Sequence, residues 1–245
     1  MKDRVPDTLV EAVERVRKIP YAKKVLKPLY VRYCKRVLEK RKKHFHKDGL
    51  NALKQFDNCF QSEHIDYFLI FGSLLGAIRE KGFIEHDCDI DVAVFIEDRN
   101  EFLDKSLKKY GFKRIHSYKI EDGKLGCEET YRFKKTSVSI DIFYVYPPID
   151  TYPYVCCWNM FSDCVTPREC MKKHGGLIPR RIELPIDHNI IRVPFETIEV
   201  NIPKNAHQIS EFSYGEDYMI PNPNAKAPTD HRTIWYDKLA TYTEY

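Results

Sequence analysis

Residues 71–91, FGSLLGAIREKGFIEHDCDID, constrain this chain more than any other stretch. The apolar run at 67–71 ends at Gly72 and reads as a short buried strand. Gly72 and Ser73 then form a sharp turn. A glycine there lets the backbone approach a ligand, and the helix start that follows points free N–H groups at it. Leu74, Leu75 and Ile78 continue at helical spacing, and Gly82 stops the helix. Asp89-Ile90-Asp91-Val92 opens the next strand. Alternation places Asp89 and Asp91 on one face and Ile90 and Val92 on the other.

Two carboxylates two residues apart, facing a phosphate-binding turn, make a natural seat for Mg²⁺. That ion takes oxygen ligands, usually one or two carboxylates plus substrate phosphates. Residues 137–145 read as a later strand that contributes a third carboxylate, Asp141, alternating against Ile140 and Ile142. Gly-Ser, then Asp-x-Asp, then a lone Asp on a later strand is the pattern of the nucleotidyltransferase fold shared with polymerase-beta-like enzymes. The fold class expected is α+β: a mixed sheet flanked by helices, with a basic helical N-terminal extension.

The words around these residues are more specific. GSLLGAIREKGFIEHDCDIDV closely resembles the LicD/fukutin family, whose members carry G-T-L-L-G-A-x-R-x-x-G-F-I-x-x-D-D-D-I-D. Residues 214–221, YGEDYMIP, resemble that family's later Y-G-x-D-Y-x-x-P segment. The resemblance covers residues 61–223. Ser73 stands where Thr is usual and keeps the hydroxyl. Cys88 replaces the middle Asp of the acidic run, and His86 stands where Trp is frequent, while Asp87, Asp89 and Asp91 remain.

The resemblance implies a phospho-alcohol transferase. Such enzymes move phosphocholine or a polyol phosphate such as ribitol phosphate from a CDP-linked donor to a hydroxyl of a cell-surface glycan or its lipid-linked precursor, releasing CMP. The cofactor implied is Mg²⁺, with Mn²⁺ as an alternative. Asp89, Asp91 and Asp141 would be the catalytic and metal-binding residues. Gly72, Ser73, Arg79, Asp87, Tyr214 and Asp217 would bind substrate or nucleotide: Arg79 as a phosphate partner, Asp87 as support for the loop, Tyr214 and Asp217 as a wall. Two other readings fit the same residues. One is nucleotidyl transfer from an NTP to a small molecule, protein or RNA, releasing pyrophosphate. The other is a glycan- or nucleotide-binding pseudoenzyme, which the retained acids oppose.

Charge is spread unevenly. Residues 1–60 hold 17 Lys/Arg against 7 Asp/Glu, whereas the remainder holds 23 against 29. Residues 7–19 and 22–43 read as amphipathic helices, the second with Ala22, Val25, Leu26, Leu29, Tyr33 and Val37 as its apolar stripe. Basic amphipathic helices of this kind lie on anionic membrane surfaces. The division expected is a basic extension over 1–47, a catalytic domain over 48–223 and a tail over 224–245. No apolar run approaches 18 residues, so no membrane-spanning helix is expected. A charged N-terminus without an apolar core reads as lacking a signal peptide. Together these point to a cytoplasmic enzyme, peripheral on the inner membrane face, with no nucleic-acid partner.

The middle of the chain is read more coarsely. A helix is expected over 48–62, another over 99–110 closed by Gly111, strands over 112–118 and 129–133, and a helix over 203–212. Cys156, Cys157, Cys164, Cys170 and His174 crowd together and raise zinc. Their spacing does not match C-x₂₋₄-C pairs, so they read as buried free thiols. Tyr144, Tyr146, Tyr152, Tyr154 and Trp158 offer an aromatic cage for a choline cation or stacking surfaces for a sugar. His231 and Arg232 read as a cover for the site.

Overall fold

The computed structural model describes residues 9–13, 20–134, 136–222, 233–235 and 237–245. It is α+β and centred on a six-stranded mixed sheet whose strands run side by side in the order 68–69, 90–95, 139–145, 126–133, 112–120 and 241–244. The strands are β1 (Phe68–Leu69), β2 (Ile90–Phe95), β3 (Phe112–Ile120), β4 (Gly126–Phe133), β5 (Ser139–Val145) and, from the far end of the chain, β11 (Thr241–Glu244). β2 and β5 pair in parallel, and the remaining neighbours are antiparallel. Two smaller sheets follow in sequence. One is built from β6 (Tyr154–Asn159), β7 (Ile178–Glu183) and β10 (Thr233–Trp235); the other is the hairpin β8 (Ile190–Phe195) and β9 (Ile198–Pro203).

The two helices read over 22–43 and 48–62 are a single helix, α1 (Pro20–Ser62), which carries Pro28 within it. Asp48 does not start a new helix. Nothing breaks the pattern there, because Lys47 and Asp48 are compatible with a helical interior. The division expected at residues 47/48 therefore lies inside a helix. The C-terminal half of α1 is anchored by its apolar face. Ala52, Leu53, Phe56 and Phe60 are fully buried, and Phe56 stacks on Phe60 and meets Tyr67 and Phe112 edge-on. Asp57, also buried, accepts from Tyr67 (2.9 Å) and from both terminal nitrogens of Arg192 (2.9 and 3.1 Å), tying the β8–β9 hairpin to the helix. The N-terminal half differs: Leu29, Val31, Tyr33 and Leu38 are all exposed. Of the helix expected over 7–19, residues 9–13 are described and helical.

Helix α2 (Phe71–Arg79) follows β1 directly. The strand is shorter than expected, because Phe71 takes a left-handed backbone (φ 50°) that turns the chain into the helix. Gly76 is there for space. A β-carbon on it would lie 2.5 Å from the carbonyl oxygen of Gly82. Helix α3 (Leu103–Lys109) starts later than expected and ends before Gly111, whose φ of 93° suits glycine. Strands β3 and β4 are longer than expected and form a hairpin. Helix α4 (Pro167–His174) has Thr166 as its N-cap and Pro167 in its first turn. Helix α5 (Ala206–Tyr214) begins after Pro203, which instead closes β9. The end of the chain is structured: β11 adds the sixth strand to the main sheet beside β3. No described helix is long and apolar enough to cross a membrane.

Candidate active site

The site grows from the parallel pairing of β2 and β5. Asp91 and Asp141 are register partners, so their side chains leave the same face side by side. Asp89 lies two residues before Asp91, just ahead of the strand. On the other side of β5, the antiparallel register pairs Thr130 with Asp141. This brings Glu128, two residues earlier on β4, onto the same face. Glu128 is buried, and its carboxylate accepts a 2.5 Å hydrogen bond from the indole nitrogen of Trp158. Four carboxylates thus crowd one face of the sheet.

Crowding shows in their protonation. Burial pushes the carboxyl of Asp91 well above the ordinary carboxylate range, and the nearby Asp89, Asp141, Asp87 and Glu128 push it further. Glu128 is raised by burial and by Asp141, and the Trp158 hydrogen bond opposes this. Asp87 rises to about 6, chiefly through burial, while a hydrogen bond from the Ile84 N–H (2.9 Å) pulls the other way.

Gly72 and Ser73, expected as a sharp turn, instead lie in the first turn of α2, and they meet this face directly. Ser73 is buried, and its hydroxyl oxygen accepts the backbone N–H of Asp91 (2.9 Å). Gly72 is open toward Asp87, whose Oδ1 would lie 3.6 Å from a β-carbon placed there. Tyr214, at the end of α5, is raised by burial and by the neighbouring Asp91 and Asp87. It therefore lies near enough to feel their charge. Arg79 donates to the backbone carbonyl of Tyr218 (3.3 Å) and to Glu80 (2.8 Å), latching the 3₁₀ turn Glu216–Met219 onto α2. Asp217 lies in that turn with an exposed side chain.

Two residues near the acids escaped the sequence reading. Arg41, on α1, reaches back to Asp89 at 2.8 Å and also donates to the carbonyl of Cys88 (3.2 Å). Nothing in a run of lysines and arginines singles it out, because its partner is distant in sequence. Glu128 had a signal. Two adjacent acids on a buried strand must face opposite sides of the sheet, and only one can join any given site. Its neighbour Glu129 takes the other face, where Arg99, Arg114, Tyr131 and Tyr144 surround it. The aromatic residues after β5 divide. Tyr146 and Tyr154 stack on each other and are buried, while Trp158 stacks on Tyr118 beside Glu128. His231 and Arg232 lie outside the described residues.

Comparison with known proteins decides the family. Residues 64–205, more than half of the chain, match the model for the LicD/FKTN/FKRP nucleotidyltransferase domain. The chain belongs to the LicD/fukutin family. Within it, the chain is 25% identical to the mouse protein named ribitol-5-phosphate transferase FKTN and 23% identical to its human counterpart. Each alignment spans 178 residues and 72% of this chain. It is also 44% identical, over 55 residues, to the lipopolysaccharide cholinephosphotransferase LicD of Haemophilus influenzae, an alignment covering 22% of this chain and 21% of that protein. The alignments cover about a third of the length of the fukutins (34%). The LicD-family match takes in Gly72, Ser73, Arg79, Asp87, Asp89, Asp91, Glu128 and Asp141, and ends before Tyr214 and Asp217.

Proposed function

We propose that this LicD-family chain transfers a phospho-alcohol, phosphocholine or a polyol phosphate such as ribitol phosphate, from a CDP-linked donor to a glycan hydroxyl, releasing CMP. The observation that carries the reading is the convergence of Asp89, Asp91 and Asp141 beside Gly72 and Ser73. The relatives' names, a ribitol-5-phosphate transferase and a cholinephosphotransferase, supply the class of group transferred.

The donor set fits a divalent cation. Carboxylates that raise one another's pKa are relieved by a doubly charged ion, and an all-oxygen set suits Mg²⁺, or Mn²⁺ in its place. Asp89, Asp91 and Asp141 would hold it, and it would supply neutralisation of charge on the phosphate oxygens. The chain's own groups do the rest. Ser73 uses its oxygen to accept from Asp91, which leaves its hydroxyl proton to donate to a phosphate oxygen. Tyr214 would form one side of the site near the acids. The acceptor oxygen bonds to the phosphorus that carries the alcohol as the phosphoanhydride bond to CMP breaks. Its proton passes to the Asp141–Glu128 carboxylates.

The acceptor would be a cell-surface glycan or its lipid-linked precursor. Exposed Leu29, Val31, Tyr33 and Leu38, interleaved with exposed Arg32, Lys35 and Arg36, support placing α1 on an anionic membrane surface. Absence of liposome binding, with and without anionic lipid, would remove that part alone.

The experiment is a donor panel of CDP-choline, CDP-ribitol, CDP-glycerol and CDP-ethanolamine with Mg²⁺, run beside the Asp89→Ala variant. CMP from one donor, abolished in the variant, is the expected result. Pyrophosphate from NTPs, with no CMP from any donor, would replace this reading with nucleotidyl transfer.

A further inference from the structure

Away from the carboxylate site, Asp163, Cys164, Cys170 and His174 gather at the N-terminal approach to α4 and along that helix. We infer that Asp163, Cys164 and His174 hold a structural zinc ion, with Cys170 in the adjoining core as the candidate fourth ligand.

The local sequence explains the gathering. Thr166 caps α4 by accepting the Glu169 N–H (3.2 Å), and Glu169 reaches back to the Val165 N–H (3.0 Å). This fixes how the preceding turn meets the helix. Cys170 and His174 are four residues apart on α4 and so share a face. Asp163 and Cys164 come from the turn before it, which is closed by a bond from the Cys164 N–H to the Phe161 carbonyl (3.0 Å). Spacing read along the chain disguised the set, because a helical turn does the work that a C-x₂-C pair does elsewhere.

The geometry suits a small tetrahedral ion. The Nε2 of His174 is 2.9 Å from Oδ1 of Asp163, and the sulfur of Cys164 is 3.5 Å from the same oxygen. The ligand atoms of Asp163, Cys164 and His174 all lie within 4.8 Å of one another. Cys170 shares the small core with Cys164 but lies outside that group of three. Tetrahedral zinc, with bonds of about 2.0–2.3 Å, needs ligand atoms about 3.3–3.8 Å apart; the Cys164–Asp163 separation meets this, and the 2.9 Å His174–Asp163 hydrogen bond must open slightly to admit the ion. A sulfur, an imidazole nitrogen and a carboxylate oxygen, with a second thiol in the adjoining core, favour zinc over magnesium or calcium. Outer contacts are in place as well. The Phe161 ring stacks on His174 at 3.9 Å and holds its plane. Lys173 sits 3.7 Å from the other oxygen of Asp163 and pairs with Glu169, balancing charge without touching Oδ1.

The surroundings give such an ion something to do. Cys164, Cys170, Leu177 and Tyr242 form a small core separate from the main one, against which Tyr118, Trp158, Phe161 and Met171 pack. A core of this size gains much from a metal staple. Trp158 also holds Glu128 in the carboxylate site, so the zinc module would buttress one wall of that site.

The test uses the full chain, expressed with zinc and purified under reducing conditions. About one zinc per chain is expected, freed when the thiols are modified. It should persist in Asp91→Asn, which spares the cluster, and be lost in Cys164→Ser and in His174→Ala. Cobalt substituted into the unmodified chain should show strong tetrahedral bands with thiolate charge transfer. That readout stands even where Cys164→Ser fails to fold. Three results would overturn the inference: no bound zinc after reconstitution, zinc and a cobalt spectrum unchanged in His174→Ala, or a Cys164–Cys170 disulfide in chain isolated with zinc present.

Discussion

The guanidinium of Arg41 lies 2.8 Å from a carboxylate oxygen of Asp89, joining the N-terminal helix to the candidate metal-binding acids across 48 residues of sequence. A cation entering the site must compete with Arg41 for that oxygen. The pair is partly exposed, 27% and 38% by side chain, so it is worth at most ~1 kcal/mol. Arg41→Gln should therefore tighten Mg²⁺ binding by up to about fivefold. Calorimetric titration of Mg²⁺ into both proteins checks this. Weaker binding in the variant would mean that Arg41 helps to build the site instead.

Asp91 is costly to the metal-free protein because burial and its acidic neighbours oppose its ionised form. Asp91→Asn should raise the metal-free melting temperature, since the amide keeps the shape and drops the charge. The same change should lower transfer activity by a factor on the order of 10² or more. A variant that is both active and less stable than the parent would refute the placement of Asp91 among the reacting groups.

Asp87 makes a pH prediction with a definite sign. Its carboxyl is raised from 3.8 to about 6, mainly by burial, so the folded state favours its protonated form. The stability contributed by that preference is complete below pH 3.8 and is lost as pH rises through about 6. Without metal, Asp87→Asn should flatten the decline in unfolding free energy across this window. Urea titrations at closely spaced pH values compare the slopes, and identical slopes would exclude Asp87 as the source.

Ser73 gives the N–H of Asp91 its acceptor inside the protein. Ser73→Ala leaves that donor without the bond and should cost about 1–3 kcal/mol. Ser73→Thr keeps the hydroxyl and should retain most of the stability. Equal losses in the two variants, measured by chemical denaturation, would show that packing at this buried position matters more than the hydrogen bond.

Gly76 tests the seat of α2. An added β-carbon would sit 2.5 Å from the Gly82 carbonyl oxygen, a backbone atom with little room to yield. Gly76→Ala should destabilise by about 1–3 kcal/mol despite alanine's higher helix propensity. Stabilisation by the substitution would mean that the 80–84 segment moves freely.

The features legible in the sequence were local. Residues 71–91 specified a helix and a closely spaced pair of acids, because helical spacing and alternation act over a few residues; the turn falls at Phe71 rather than at Gly72–Ser73, and the helix ends at Arg79, ahead of Gly82. The same stretch, with residues 214–221, carried the family. Strands 112–120 and 126–133 and the helix before Gly111 were legible for the same reason, with ends displaced by a few residues. The single helix Pro20–Ser62 reads as two in the sequence, since Asp48 carries the chemistry of a helix start without requiring one. Tertiary structure decided everything that depends on register between distant strands. Asp141 meets Asp91 because β2 and β5 pair in parallel, and Glu128 joins them because β4 pairs antiparallel to β5. The reach of Arg41 to Asp89 and the gathering of Asp163 and Cys164 with Cys170 and His174 are of the same kind. A side chain's type is written in the chain, but its neighbours are chosen by packing, which buries apolar faces first and brings polar groups together as a consequence.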